Sequence, residues 1–373
     1  FIEEQYRNFL ENPATVTGDW RLFFEGIEFA KSLPDAGPLQ QELGVLDLIR
    51  AYRGRGHLQV HLNPLAGKPS ENPELQLQKF GLKDSDLDQV FHSPALLGFG
   101  KSPLREIIAL LKKSYCQTLG IETDQCDDTS RSWFIQQVET SAGALNLTPD
   151  QQKKILVQLT QTEALEKFLQ SRFLGIKRFS IEGADVMIPM LHHLTDVGTE
   201  LGMQDLVFGM AHRGRINVLT NFMGKSVDLI LAEFDGVDFA EKSGDGGDVK
   251  YHLGYAATRK TAHGECSLRL AFNPSHLEFV DPVVEGMAWA RHHWLARSTD
   301  WSATVPVLIH GDAAFAGQGV VQETLQLSQL QGFSTGGTIH LIVDNQVGFT
   351  TDPREARSTY YTSDVAKFLG SPV

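Results

Sequence analysis

The stretch Val305-Pro306-Val307-Leu308-Ile309-His310-Gly311-Asp312, followed after a helical interval by Thr338-Ile339-His340-Leu341-Ile342-Val343-Asp344-Asn345, decides the fold. Both apolar runs are short, rich in β-branched residues and free of polar alternation, the pattern of a strand buried on both faces of a parallel sheet. Between them, Gly319 to Leu330 has helical periodicity. Strand, helix and strand at this spacing predict a βαβ crossover. In an open parallel sheet, ligands bind outside the carboxyl ends of the strands. The informative residues are therefore those that follow each run: Gly311-Asp312-Ala313 and Asp344-Asn345-Gln346-Val347-Gly348.

Working outward, Leu206 to Met210 and Leu268 to Phe272 read as further strands, with helices expected at Asp185 to Leu201, Arg215 to Met223 and Pro282 to Arg297. Asp235 to Lys250 is Gly/Asp-rich and reads as a surface loop. Of the 34 glycines, 21 lie from Phe179 onward, so the α/β character begins there. Upstream the pattern is helical. Ser102-Pro103 and Thr148-Pro149 each look like an N-cap followed by proline at the first helical position, ahead of apolar faces at Leu104, Ile107 and Leu111 and at Leu159, Leu165 and Leu169. Three prolines at 64, 69 and 73 mark a connection after a helix around Val45 to Arg53. The expected organisation is an amino-terminal helical segment at 1–40 that docks a partner, a helical domain at 41–177 and an α/β domain at 178–373.

At 373 residues the chain has room for two or three domains and a sizeable core. With 33 Lys and Arg against 46 Asp and Glu, the net charge of −13 disfavours a nucleic-acid binder steered by bulk positive charge. No apolar run approaches the roughly 18 residues of a membrane span. Three widely spaced cysteines, Cys116, Cys126 and Cys266, fit neither a disulfide framework nor a cysteine metal site, so a reducing compartment is expected. The chain starts at Phe1 and stops soon after a strongly patterned segment, and it reads as a piece of something longer.

Asp312 and Asn345, at the ends of neighbouring strands, offer a carboxylate and an amide oxygen to a hard cation. Magnesium takes six oxygens, one or two of them from carboxylates. A backbone carbonyl at Val347 supplies a third protein ligand and leaves positions for a diphosphate. Two nucleotide motifs fail on inspection: Gly224-Lys225-Ser226 ends like a P-loop, but Leu219 stands where its first glycine belongs, and Gly317-Gln318-Gly319 lacks its third glycine at Gln322.

His212-Arg213-Gly214-Arg215-Ile216-Asn217-Val218-Leu219, Asn273-Pro274-Ser275-His276-Leu277-Glu278, His310-Gly311-Asp312-Ala313-Ala314 and Asn345-Gln346-Val347-Gly348-Phe349-Thr350-Thr351 together resemble the thiamine-diphosphate-dependent first component of 2-oxoglutarate dehydrogenase. The likeness covers nearly the whole chain, including Tyr6 to Phe24 and Leu48 to His57. It implies an α/β fold in which a helical amino-terminal region precedes a mostly parallel-sheet domain binding thiamine diphosphate and Mg2+. The metal ligands would be Asp312, Asn345 and the Val347 carbonyl. Ser275, His276 and Leu277 would lie against the cofactor, with Ala313 and Ala314 near its diphosphate. His212 and His252 match the active-site histidines and Phe179 a substrate-pocket aromatic. Arg213 and Arg215 are read as anion-binding or as positioning His212.

The resemblance further implies decarboxylation of 2-oxoglutarate and transfer of the succinyl group to a lipoyl group of the dihydrolipoyl succinyltransferase partner, a tricarboxylic acid cycle reaction. A homodimer is expected, with a carboxy-terminal half supplying the glutamate that activates the cofactor, so the fragment alone should be inactive. Two readings stay open beside it: a 2-oxoadipate decarboxylating component sharing these motifs, and an interaction module in which Phe1, Ile2, Glu3, Glu4, Tyr6, Arg7, Phe9 and Leu10 dock another subunit of a multienzyme complex. Bacterial cytoplasm and mitochondrial matrix both fit the reducing compartment.

Overall fold

The computed structural model describes the chain apart from residues 1, 18–19, 22–23, 26, 29–35, 68, 93–99, 145, 177, 236–250 and 297–300. The Gly/Asp-rich loop expected at 235–250 lies, after Asp235, outside the described residues. Two compact units emerge, residues 1–145 with 370–373, and residues 146–369. The division falls upstream of the composition change near 178.

The first unit is helical. Helix α1 (Ile2–Glu11), α2 (Ala36–Arg55), α3 (Leu104–Tyr115) and α4 (Asp128–Ser141) accompany a two-stranded antiparallel ribbon of β1 (Val90–His92) and β2 (Lys101–Pro103). Val45, Leu48, Ile49 and Tyr52 recur at helical spacing on α2 and pack with Leu104, Ile107 and Leu111 of α3. Arg53 donates to both oxygens of buried Glu139 at 2.7 and 2.8 Å, and the Tyr115 hydroxyl adds a third hydrogen bond at 2.8 Å. This cluster pins α2, α3 and α4 together. Ser102 is not the cap expected for α3. It pairs with Phe91 in the ribbon, and Pro103, extended at φ −57° and ψ 143°, directly precedes the helix. The amino-terminal face expected to dock a partner is partly used internally: Phe9 is buried with Val16 and Phe24, and Tyr6 and Trp20 pack on them.

The second unit is an α/β layer structure. It contains α5 (Pro149–Arg172), α6 (Met187–Glu200), β3 (Asp205–Met210), α7 (Val227–Phe234), β4 (Tyr255–Thr261), β5 (Gly264–Leu270), α8 (Asp281–Arg291), β6 (Thr304–Gly311), α9 (Asp312–Gly317), α10 (Gly319–Leu327) and β7 (Ile339–Val343). Thr148 caps α5 as expected, accepting from the Gln151 amide while the Gln151 side chain accepts from the Thr148 amide. Although the sequence pattern groups α5 with the upstream helices, its Leu165 and Leu169 lie in the same core as Leu206, Phe208, Leu268 and Val307. Apolar contact with the sheet, which composition cannot reveal, moves the boundary.

The sheet order is β4-β5-β3-β6-β7, with β5, β3, β6 and β7 mutually parallel and β4 an antiparallel edge. The crossover predicted from Val305 to Val343 is present as β6, α10 and β7. Strand β4 escapes the sequence reading because its Tyr-Ala-Ala-Thr-Arg-Lys-Thr run is polar, half of it facing water. Strand β3 has β5 on one side and β6 on the other, so the chain order reverses between β3 and β6. That is the switch point at which such sheets bind ligands.

Candidate functional site

A cavity of about 700 Å³ opens at the carboxyl ends of β3, β6 and β7. It is lined by Phe179, His212 and Arg213, by Leu277, by Asp312, Ala313 and Ala314 after β6, and by Asn345, Val347 and Phe349 after β7. Of the residues singled out in the sequence, nine therefore meet around one space: Phe179, His212, Arg213, Leu277, Asp312, Ala313, Ala314, Asn345 and Val347. Ser275 and His276 do not line it. They are exposed, and the His276 ring packs on Phe279 with centroids 5.7 Å apart. His252 is also absent from the lining, although its neighbour Tyr251 meets Phe179 edge-on at 5.3 Å.

The β6–β7 register explains the charge arrangement. The last aligned pair is Gly311 with Val343, so the residue continuing the ladder opposite Asp312 is Asp344, with Asn345 one position further. The side-by-side placement of Asp312 and Asn345 expected from the sequence is thus shifted by one residue. Burial first, then the neighbouring Asp344 carboxyl, push the Asp312 carboxyl up to about 6, against the Ala313 amide and Arg357, which favour its charge. Arg357, unnoticed in the sequence, stands 3.8 Å from Asp312 Oδ2 and 3.3 Å from Asp344 Oδ2.

The loop after β7 suits a hard cation. Asn345 Oδ1 accepts from the Val347 amide at 3.0 Å, and Gln346 between them adopts the left-handed region at φ 61°. A methyl group on Gly348 would sit 3.2 Å from Ala313 Cβ, so this backbone passes close over the start of α9. The available donors are a carboxylate, an amide and a carbonyl oxygen, the class of ligand magnesium takes. Small side chains at Ala313 and Ala314 leave room beside them for a diphosphate.

On the β3 side, the rings of Phe179 and His212 lie with centroids 3.9 Å apart. Arg213 donates to the Ser180 carbonyl at 3.3 Å. Arg215 is not available to an anion as expected. It is fully buried and donates to the carbonyls of Met210 at 3.0 Å, Leu253 at 2.7 Å and Ala271 at 2.6 Å. It thereby ties the end of β3, the segment after His252 and the end of β5 into one corner. Lys225 of the failed P-loop tail is likewise committed, to Glu233 at 2.6 Å.

At the cavity wall, where His310 is a lining residue, begins a buried network that sequence reading also missed. His310 Nδ1 is 2.6 Å from Glu278 Oε2, and its Nε2 is 2.9 Å from His340 Nδ1. Burial pushes Glu278 up to about 7 and holds His310 down to about 4. Although these distances are those of an ion pair, the buried partners share protons as a largely neutral network. His340 lies on the strand paired with that of His310, its partner position being Leu308, and no local pattern announces the contact.

Fold and site together describe an α/β domain whose switch-point cavity is lined by Asp312, Asn345 and Val347 on one side and Phe179 and His212 on the other. Residues 160–373 match the dehydrogenase E1 component family model, and the chain belongs to that family. It is 39% identical to the 2-oxoglutarate dehydrogenase E1 component of Azotobacter vinelandii, over all of this chain and 43% of that protein. The protein of the same name from Cupriavidus necator is also 39% identical over all of this chain. The multifunctional 2-oxoglutarate metabolism enzyme of Mycolicibacterium vanbaalenii is 43% identical over 88% of this chain and 27% of that protein. The chain spans less than half the length of these curated relatives. Among the described residues no helix is long and apolar enough to cross a membrane.

Proposed function

We propose that this chain forms the diphosphate- and metal-binding part of a thiamine-diphosphate-dependent 2-oxoglutarate dehydrogenase. The observation carrying this reading is that Asp312, Asn345 and Val347 share one cavity with Phe179 and His212 at the sheet's switch point. The bound cofactor supplies a nucleophilic carbon and an electron sink for the loss of carbon dioxide from a 2-oxo acid. Asp312 Oδ, Asn345 Oδ1 and the Val347 carbonyl would hold Mg2+, and Ala313 and Ala314 would leave room for the diphosphate beside it. His212, oriented by its tilted ring contact with Phe179, donates to a substrate oxygen, and Arg213 contributes positive charge for a dicarboxylate. Leu277 and Phe179 exclude water from that space. Ser275 and His276, which directly precede Leu277 in the chain, would lie against the cofactor, and His252, next to Tyr251, would serve the substrate.

The names of the relatives support 2-oxoglutarate as substrate, and with it passage of the succinyl group to a lipoyl group of a dihydrolipoyl succinyltransferase. A homodimer and a further carboxy-terminal domain complete the catalytic centre, including the glutamate that activates the cofactor. The bacterial relatives favour a bacterial cytoplasm. Calorimetry on the full-length polypeptide should show Mg2+-dependent binding of thiamine diphosphate that Asp312→Ala abolishes. Unchanged affinity in that variant would overturn the assignment.

A further inference from the structure

Two carboxylates, Asp312 at the cavity and Asp344 after the neighbouring strand, stand beside one guanidinium, that of Arg357. Its side chain is only 20% exposed, and it is loosely engaged. Nη2 donates to Asp344 at 3.3 Å, Nη1 stands at 3.8 Å from Asp312, beyond hydrogen-bond reach, and Nε is buried with no hydrogen-bond partner among the described residues. A guanidinium has five donors in a fixed fork suited to planar or phosphate oxygens, and leaving such donors buried and unpaired is costly. The arginine therefore has donor capacity that its protein neighbours do not use, and that capacity lies beside the cation ligands.

Resting on the metal reading above, we propose that Arg357 is an exchangeable counter-ion of this corner: its guanidinium balances Asp312 and Asp344, yields Asp312 to an entering divalent cation, and pairs with the diphosphate that the cation brings. The two positive charges compete for one carboxylate, so the arginine opposes binding of the metal alone. Once the diphosphate enters, it brings more negative charge than the dication neutralises, and the same arginine favours the complex. Metal and diphosphate are thereby made to bind together.

The opposite signs give the test. With cofactor-free full-length polypeptide, Mn2+ binding is followed by electron paramagnetic resonance, and inorganic pyrophosphate binding is measured at saturating Mn2+. Neighbouring charges at this distance shift equilibria by roughly tenfold or more. Arg357→Gln should therefore bind Mn2+ alone about tenfold more tightly and pyrophosphate about tenfold more weakly, whereas a merely structural role would weaken both. Arg357→Lys, which keeps the charge without the fork, should leave Mn2+ affinity near wild type and weaken pyrophosphate. If Arg357→Gln fails to fold, Arg357→Lys decides, and unchanged pyrophosphate affinity there overturns the role. Unchanged Mn2+ binding in Asp312→Ala would overturn the metal site and this role with it. Asp312-dependent binding with both affinities shifting together in Arg357→Gln would overturn the arginine's role alone.

Discussion

Replacing Arg215 by Met should unfold the α/β unit or bring it close to unfolding. Arg215 is fully buried and gives three short hydrogen bonds to main-chain carbonyls of Met210, Leu253 and Ala271. Each charge-assisted bond contributes roughly 1.5–3 kcal/mol net, and an orphaned buried carbonyl costs about 1–3 kcal/mol. Methionine fills part of the volume but satisfies none of the three acceptors, so a loss of roughly 4–6 kcal/mol is expected. That is a large part of a typical total stability of about 5–15 kcal/mol. Lysine reaches one carbonyl at most and lacks the planar fork that joins three, so Arg215→Lys should lose about half as much. Urea unfolding of both variants against wild type reads these differences directly. A loss below about 1 kcal/mol in Arg215→Met would refute the reasoning, because it would mean that water or local movement satisfies the three carbonyls. Since Met210 lies two residues before His212 and Leu253 follows His252, cofactor-loaded Arg215→Lys should also show weakened substrate binding beyond its stability loss.

Three further outcomes are expected. Leu169→Ala should cost roughly 2–5 kcal/mol in urea unfolding, because Leu169 belongs to the α/β core, and a negligible loss would return α5 to the helical unit. Asn345→Ala should weaken Mn2+ binding about tenfold or more in calorimetry while leaving the unfolding midpoint nearly unchanged, since its hydrogen bond to Val347 is exposed. His192, held down to about 4 by burial and by the Arg259 charge, stays neutral when folded but takes up a proton near 6.5 when unfolded. Its contribution to stability is therefore full above pH 6.5 and is lost as pH falls from there towards 4. His192→Phe should flatten that part of the melting-temperature profile, and an unchanged slope would count against it.

The core of the fold is legible in the sequence because its strands are apolar on both faces and its crossover is regular. β6, α10 and β7 stand where Val305 to Val343 predict them, and Thr148 caps α5 through a local hydrogen-bonding pattern that needs no tertiary information. Strand β4 is illegible for the converse reason: it lies on the sheet edge and its residues alternate between half-buried and exposed. The assignment of α5 is illegible because amphipathicity tells that a helix packs, not on what. At the site, Asp312 and Asn345 are found from their places after strands, but the one-residue register that sets Asp344 against Asp312 depends on pairing between strands. Arg357 and the Glu278–His310–His340 network join residues far apart in sequence, and no periodicity carries that.

Several features that folding alone does not explain meet at the carboxyl ends of β6 and β7. Asp312 and Asp344 bring like charges together, Gln346 and Phe349 hold the left-handed region at φ 61° and 54° without being glycine, and Phe349 leaves an aromatic ring 98% exposed at the cavity rim. Each lowers stability: a non-glycine residue in that region costs on the order of 1 kcal/mol, and apposed carboxylates resist joint ionisation. A sequence selected for stability alone would relieve them with a glycine at 346, an asparagine at 344 or a polar residue at 349. Elsewhere in the unit, buried polar groups such as Arg215 and Glu166 are tied into hydrogen bonds that hold the scaffold. Apposed carboxylates and a strained loop at the carboxyl ends of β6 and β7 are features expected where a site is preorganised for charge that arrives with a ligand. On the proposed reading, that energetic cost is what an entering cation would relieve.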